Sequence, residues 1–267
     1  MKSLVNVFEI ANMTSPEVEE AMKETGIVIV HVGSMEQHGP HLPIKSDTII
    51  GYEVSRRAAE KFYKETGKRV LLAPSIPFGQ SLHHMTYPGS IALQPETLIT
   101  IMTEICLGLA NQGFKKILIT SSHGGNIMWT DIAARKIFDN TDAKILLLTT
   151  VWTKNKDDDW EKYLKSGIQG SGHAGETETS IMMTLGDEVR MDKIPQEATK
   201  WRVDLPEFSW TYPDGPKISG LSAPYNVEEI CDGYMGDPSQ ASAETGEKIL
   251  ENWSDNILIL LKQYHEL

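Results

Sequence analysis

The chain has 267 residues, 40% of them hydrophobic, and its 37 acidic and 25 basic residues give a net charge of −12 at pH 7. An acidic surface repels phosphate backbones and anionic lipids, which argues against nucleic-acid and membrane partners. No apolar run reaches the ~18 residues of a membrane span, and the first residues do not resemble a signal peptide. We therefore expect a cytoplasmic protein with a single domain over residues 1–267, because α/β chains of this size often fold as one unit.

Buried-strand patterns alternate with helical patterns over the first 152 residues. Apolar runs predict four strands, at 27–32, 70–73, 117–120 and 144–152. Apolar residues three to four apart predict helices between them, at 16–25, 48–66, 95–112 and about 126–140. Strands joined by helices of this length form right-handed βαβ units, so an α/β fold with a mostly parallel sheet covered on both faces is predicted.

The C-terminal third is less regular. Residues 201–234 contain four prolines and are predicted to form a long irregular excursion. A final packed helix follows, with an apolar stripe that includes Ile249, Trp253 and Ile257. The two cysteines, Cys106 and Cys231, have no partner at metal-binding spacing, and Cys106 is expected to be a core thiol.

Potential metal ligands are concentrated in four loops. Six of the eight histidines fall in the segments 36–47, 78–89, 122–126 and 171–178. Loops at the carboxyl ends of parallel strands converge on one crevice, so these segments can meet. Together they offer His, Asp and Glu without Cys, a set that suits Zn, Mn or Fe in a hydrolytic site rather than a structural zinc site. Several imidazoles and more than one carboxylate are enough for two ions bridged by an aspartate.

Simpler roles exist for individual residues. Asp47 precedes a helical pattern and is equally well placed to be an N-cap. His123 could be a turn residue, and Glu178 an exposed helix charge. Residues 170–175 fit GxGxxG but do not follow a buried strand, and no Walker lysine or GxSxG nucleophile motif is present.

The first loop carries a family signature. The run Gly33-Ser34-Met35-Glu36-Gln37-His38-Gly39-Pro40-His41-Leu42-Pro43, followed by Asp47, resembles the motif of the creatininase (creatinine amidohydrolase) family. Further similar segments occur in the family's order, at 78–91, 122–126, 173–180 and 236–246. The resemblance implies a three-layer α/β/α fold, a homo-oligomer such as a hexamer, and a dinuclear metal centre that hydrolyses C–N bonds of small amides.

The resemblance also implies a ligand set. Carried over by position, Glu36, Asp47 and His123 would hold one ion. His38 and Asp47 would hold the second ion together with a further glutamate, so that Asp47 bridges the two.

The further glutamate marks a departure from the family pattern. Creatininase proper supplies it two residues after the histidine that matches His123, where this chain has Gly125. The prediction therefore moves to Glu178, within the family-like Glu-Thr-Ser, both as a ligand and as part of the catalytic group. Glu176 is the alternative.

The implied reaction is metal-assisted hydrolysis. Two cations lower the pKa of a bridging water, and the hydroxide attacks a carbonyl carbon. His173 matches the family's catalytic histidine and would serve as the proton shuttle to the leaving nitrogen. Ser81 and His84 are predicted to contact substrate. Main-chain N–H groups at a helix start could orient an anionic substrate group, namely those of Gly124, Gly125 and Asn126.

The substrate is less closely defined. Residues 169–172 stand where creatininase proper has a tryptophan over its substrate, so creatinine itself is not the predicted substrate. We predict a small cyclic amide or a related C–N bond. The alternatives are C–C hydrolysis of a cyclic polyol ketone of the keto-inositol type on the same metal centre, and a non-catalytic, metal-binding oligomeric module.

Overall fold

A four-stranded parallel sheet is the centre of the computed structural model, which describes residues 7–186, 189–199 and 233–267. Its strand order is β2-β1-β3-β4, so β1 and β3 are the inner strands. The strands are β1 (Ile27–Val32), β2 (Leu71–Leu72), β3 (Lys116–Ser121) and β4 (Lys144–Leu148). β1 pairs with β3 over its whole length, from Ile27 opposite Lys116 to Val32 opposite Ser121.

Helices connect and cover these strands. In the described ranges they are α1 (Ser15–Thr25), α2 (Ser46–Thr66), α3 (Pro95–Gln112), α4 (Ile127–Phe138), α5 (Glu176–Leu185) and α6 (Ala243–Glu266). Gly26, Gly67 and Gly113 end α1, α2 and α3 in the left-handed conformation that glycine adopts without strain. None of the helices in this part of the chain has both the length and the apolar character needed to cross a bilayer.

The sheet separates two hydrophobic cores, which confirms the predicted three-layer α/β/α fold. Side chains alternate along β1, so Ile27 and Ile29 face one layer while Val28 and Val30 face the other. The first layer contains α2, α5 and α6, and the second contains α3 and α4. Both faces of β1 are buried, which explains why its sequence is a continuous apolar run interrupted by His31 alone.

Close helix packing fixes the C-terminal helix. A Cβ at Gly246 of α6 would lie 2.0 Å from the carbonyl oxygen of Ser180 in α5, so a glycine is needed where these two helices cross. On the side of α2, Arg57 donates to Glu247 at 2.7 Å and Lys61 donates to Asp255 at 2.7 Å. The predicted apolar stripe of the final helix is buried in the first-layer core.

Several predicted boundaries differ from the observed ones. The prediction of a fourth strand over 144–152 was too long, because the chain turns after Leu148 and Thr153 Oγ1 donates back to the carbonyl of Thr150 at 2.9 Å. The second strand is also shorter than predicted. The excursion predicted at 201–234 lies outside the described residues except for Gly233 and Tyr234, and Cys231 lies outside them too.

Candidate metal centre

The loop after β1 brings Glu36 and His38 to the carboxyl edge of the sheet. Glu36 N–H donates to the carbonyl of Ile44 at 2.9 Å, which folds the loop back toward α2. A Cβ at Gly33 would lie 2.7 Å from the Cα of Thr48, so only glycine allows this close approach of loop and helix. Both Glu36 and His38 are buried as a result.

His38 faces two carboxylates. Its Nδ1 lies 3.0 Å from the carbonyl oxygen of Glu36, which can only accept, so Nδ1 carries the proton. Its Nε2 lies 3.3 Å from Asp47 Oδ1 and 3.6 Å from Glu178 Oε2. Burial alone would lower the pKa of His38, but the carboxylates of Asp47 and Glu178 raise it to about 10. A buried imidazole lone pair that faces two carboxylates calls for a proton or a cation between them.

Asp47 lies between two histidines. It is in the first turn of α2 and is not the N-cap, which is Lys45. Its Oδ1 faces His38, and its Oδ2 lies 3.3 Å from His123 Nδ1. Oδ2 is buried and makes no hydrogen bond with the described part of the chain. A buried carboxylate oxygen in this position suits a metal ion, because buried charges are normally paired or coordinate metals.

Glu36 lies on the other side of His123. Its Oε2 is 3.3 Å from His123 Nε2, accepts from Ser34 Oγ at 2.9 Å, and bonds the hydroxyl of Ser81. Burial would raise the pKa of Glu36, but His123 holds it well below its usual value. Ser81, predicted to contact substrate, is buried and holds Glu36 in the structure.

Glu178 belongs to the cluster, and Glu176 does not. Glu178 Oε2 accepts from Ala174 N–H at 2.6 Å, and Ala174 has the left-handed φ of 51° that directs this N–H toward the carboxylate. Burial, together with the negative charge of Asp47, raises the pKa of Glu178 to about 7. Glu176 points away and accepts from the main-chain N–H groups of residues 165 and 166, each at 2.8 Å.

His84 and His173 meet at the other oxygen of Glu36. His84 Nε2 lies 3.5 Å and His173 Nδ1 lies 3.6 Å from Glu36 Oε1. The two imidazole rings are stacked with their centroids 4.7 Å apart. Burial lowers the pKa of His84 to about 4 and, with the nearby His38, holds the pKa of His173 well below its usual value. Both rings are therefore neutral at pH 7.

The helix start after β3 has a structural role. Asn126 is buried, and its main-chain N–H donates to the carbonyl of His123 at 3.1 Å. Its side-chain Oδ1 accepts from Gln80 N–H at 2.9 Å, and its Nδ2 donates to the Gly33 carbonyl at 2.9 Å. Asn126 thus ties three loops together, and its main-chain N–H already donates to the His123 carbonyl. The contact of Gly124, Gly125 and Asn126 with an anionic substrate group stays a prediction.

Gly125 stands at a position where a side chain cannot fit. A Cβ there would lie 2.3 Å from His123 Nε2 and 2.4 Å from the carbonyl oxygen of Gln80. A glutamate could not be placed at this position without moving His123. The structure therefore explains in physical terms why the chain cannot take its last carboxylate from position 125.

The same geometry gives a matched pair of variants. We expect Gly125→Ala to destabilise the protein by about 1–3 kcal/mol, because the added methyl group overpacks the loop against His123. Gly124→Ala is the control, since a Cβ there meets no heavy atom within 4 Å. Urea unfolding of both variants measures the difference, and equal stabilities would contradict this description of the loop.

A chain of buried hydrogen bonds ends at the main-chain carbonyl of Asp47. Ser122 Oγ donates to the main-chain carbonyl of Asp47 at 2.6 Å, so it must accept from His31 Nε2, 2.9 Å away. His31 Nδ1 in turn accepts from Ser75 Oγ at 2.9 Å. There is no room for a side chain at Gly51, where a Cβ would lie 2.1 Å from His31 Nε2. The histidine in the apolar strand β1 thus holds the start of α2.

His31 gives a prediction on pH and stability. Burial lowers its pKa to about 3, whereas an unfolded histidine has a pKa of about 6.5. Below pH 6.5 the unfolded chain binds a proton that the folded chain excludes, so stability falls by about 1.4 kcal/mol per pH unit from this group. His31→Gln, whose amide can still donate to Ser122, should lose less stability between pH 6.5 and 4.5 than the unchanged protein. Urea unfolding across this range measures both slopes, and parallel slopes would contradict the prediction.

Two contributors were not singled out from the sequence. Gln37 Nε2 lies within 3.1 Å of a ring nitrogen of both His84 and His173, and His83 lies beside Glu36 and His123. Repeated histidine at 83 and 84 was the available signal for His83, whereas nothing marked Gln37 apart from its place between Glu36 and His38. Within the described ranges, three sets of side chains have candidate ligand atoms within 4.8 Å of one another: Glu36, His83, His123; Glu36, His38, His173; and His38, Asp47, Glu178.

The fold is an α/β fold with a parallel sheet. The acidic and imidazole groups at the carboxyl edge of this sheet form a candidate metal centre. The family model described as creatinine amidohydrolase matches residues 11–261. The chain belongs to the creatininase family, and the predictions of this family, of its fold and of the amidohydrolase class are confirmed.

Curated relatives with different names match most of the chain. A mycofactocin precursor peptide peptidase from Mycolicibacterium smegmatis is 29% identical over 225 residues, which are 84% of this chain and 79% of the relative. A 3-dehydro-scyllo-inosose hydrolase from Thermotoga maritima is 27% identical over 271 residues, 95% and 82% of the two chains. Creatinine amidohydrolase from Pseudomonas putida is 26% identical, with 84% of each chain covered.

Solved structures show the same fold. A creatinine amidohydrolase (creatininase) structure superposes with a TM-score of 0.77 at 24% identity and covers 98% of both chains. Two other creatininase structures, titled as a manganese form and as a mutant of Zn-Zn type, each have a TM-score of 0.76 at 24% identity and cover 96% of this chain and 97% of their own.

Proposed function

We propose that the chain is a divalent-metal-dependent hydrolase with a dinuclear centre, acting on a small cyclic amide or a related C–N bond. The observation that carries the proposal is the position of Asp47. Its two buried oxygens face His38 and His123, and Oδ2 has no hydrogen bond from the described residues. A carboxylate placed in this way is suited to bridge two cations.

The donors present suit divalent ions. His38, Asp47 and Glu178 have ligand atoms within 4.8 Å of one another and would hold one ion. Glu36, Asp47 and His123 would hold the other, and each carboxylate lies 3.3 Å from a different nitrogen of His123. Three carboxylates and two imidazoles form a hard to borderline donor set that accepts Zn, Mn or Fe. The manganese and zinc forms of solved creatininases with this fold support the proposal.

The chain's own residues supply the proton transfer. When bound, the ions would acidify water and polarise the carbonyl oxygen of the substrate. His173 is neutral and its Nδ1 faces the cluster, so it can take a proton there and give it to the leaving nitrogen. Glu178 and the main-chain N–H groups of Gly124 and Gly125 would position the substrate beside it.

Metal analysis combined with a substrate screen tests the proposal. Protein purified without chelator should contain about two transition-metal ions per chain, as expected for a two-metal site. The metal-loaded protein should release amine from one member of a panel of lactams and formamides. A protein that neither retains metal nor takes it up on reconstitution would end the proposal.

A second candidate is C–C hydrolysis of a cyclic polyol ketone on the same centre. The similarity to the 3-dehydro-scyllo-inosose hydrolase, which extends over 95% of this chain, favours including it. Adding keto-inositols to the panel separates the reactions, because this one yields a new carboxylate without released amine.

Two further parts of the proposal need separate measurements. Bound metal without turnover on any substrate would favour the non-catalytic binding module. The homo-oligomer implied by the family is tested by light scattering, and a monomer at micromolar concentration would contradict it.

A further inference from the structure

Gln37 contacts both histidines that approach Glu36 Oε1. We infer that Gln37 is a positioning residue which fixes the tautomers of His84 and His173, so that His84 offers a proton to Glu36 Oε1 and His173 offers a lone pair. This inference rests on the proposed function for its chemical meaning. Its geometry is independent of that function, because it concerns hydrogen bonds within the protein alone.

The tautomer of His173 is set by the main chain of Gln37. His173 Nε2 lies 2.7 Å from the Gln37 carbonyl oxygen, which can only accept a hydrogen bond. Nε2 therefore carries the proton. The side-chain nitrogen of Gln37 is 3.0 Å from the same Nε2, but a nitrogen that donates its proton to the carbonyl has no lone pair left to accept another. The lone pair of His173 is on Nδ1, 3.6 Å from Glu36 Oε1.

The tautomer of His84 is set by the side chain of Gln37. Gly39 N–H donates to Gln37 Oε1 at 2.9 Å, which fixes the oxygen on that side and directs the amide nitrogen toward His84. Gln37 Nε2 lies 3.1 Å from His84 Nδ1 and can only donate. His84 Nδ1 thus accepts, and its proton is on Nε2, 3.5 Å from Glu36 Oε1.

The surrounding loops hold Gln37 in this orientation. Its N–H donates to Ser90 Oγ at 3.0 Å, which anchors the main chain. Gly233 packs so closely that a Cβ there would lie 2.4 Å from Gln37 Oε1. The carboxamide therefore has contacts on both sides that favour one of its two orientations.

The consequence is a division of roles between two stacked imidazoles. Near Glu36 Oε1, a proton can be accepted at His173 Nδ1, while His84 Nε2 is already protonated and can only donate. A proton shuttle through His173 would therefore use Nδ1, with Nε2 held by the Gln37 carbonyl throughout. Selecting the tautomer through the partner of the other nitrogen is an established way in which proteins direct histidine chemistry.

Nitrogen NMR of the metal-free protein tests the inference. We would record long-range ¹H–¹⁵N correlations of ¹⁵N-histidine-labelled protein at pH 8.5, about two units above the ordinary histidine pKa. Assignment would come from His84→Asn and His173→Asn. In the unchanged protein both rings should be protonated at Nε2.

Substitution of Gln37 separates the two histidines. In Gln37→Glu the carboxylate can only accept, so the proton of His84 should move to Nδ1, while His173 keeps its tautomer because its partner is main chain. Gln37→Met, which has no donor, should lose the fixed His84 tautomer. Gln112→Glu, at the exposed end of α3, is the control and should change neither ring.

Either of two results would overturn the inference. The first is a His173 lone pair on Nε2 in the unchanged protein, and the second is a His84 signal that stays the same in both Gln37 variants. If Gln37→Glu does not fold, the unchanged protein and Gln37→Met decide the question. Neither metal nor substrate is present, so failure of the proposed hydrolase function would be seen in the metal analysis and not here.

Discussion

Asp47→Asn should abolish turnover and remove metal while leaving the fold intact. Asp47 is expected to contribute one anionic oxygen to each ion, and an amide cannot replace both. Losing several kcal/mol of charge stabilisation corresponds to about a thousandfold or greater loss in rate. Elemental analysis after dialysis should show less metal, and kcat on the best substrate of the panel should fall in parallel.

Asp47→Asn removes the negative charge without removing the main-chain contact of Asp47, so loss of charge can be distinguished from unfolding. The hydrogen bond from Ser122 goes to the main chain of Asp47, so it remains in the variant, and circular dichroism should be unchanged. Asp142→Asn is the control, because Asp142 is an exposed aspartate after α4. Full metal content and unchanged turnover in Asp47→Asn would remove Asp47 from the bridging role.

His173→Gln should lower kcat by about 10²–10⁴-fold and leave the metal content unchanged, since general acid–base catalysis contributes a factor of this size. The glutamine amide can still donate to the Gln37 carbonyl, as His173 Nε2 does at 2.7 Å. It has no group that exchanges a proton near neutral pH at the place of Nδ1. The metal content and kcat of the variant are measured on the same preparation.

This experiment also distinguishes two roles for His173. His173 forms one of the possible ligand groups with Glu36 and His38, so loss of metal in the variant would show a ligand rather than a proton shuttle. His265→Gln, at the end of α6, is the control for replacing a histidine elsewhere. Unchanged kcat with full metal would exclude both roles.

Patterns of local residue type predicted the parallel α/β fold and the position of the ligand-rich loops at one edge of the sheet. The apolar run of β1 and its glycine-rich exit loop placed Glu36 and His38 correctly at the sheet edge, because a buried parallel strand has few other arrangements. His31 was visible in the sequence as a polar residue in this run. Its partner Ser122 is 91 positions away, and its link to Asp47 depends on the pairing of β1 with β3.

The sequence could not show which of two neighbouring side chains takes part in the site. Glu176 and Glu178 are both in the first turn of α5, and their helix positions do not reveal that residues 165 and 166 bind one of them. Similarly, the sequence did not reveal that the side chain of Asn126 joins loops that are distant in the chain. Such outcomes depend on tertiary partners, which local patterns do not encode.

The left-handed backbone at Ala174 restricts which residues the chain can tolerate there. A non-glycine residue with positive φ costs roughly 1–2 kcal/mol, and here that conformation aims an N–H at Glu178. Glycine would relieve the strain but would remove a methyl group that is fully buried in the first-layer core. Branched residues would suit neither the backbone nor the space. Position 174 should therefore admit alanine, glycine and little else, and a deep mutational scan would show it as one of the least permissive positions outside the ligands.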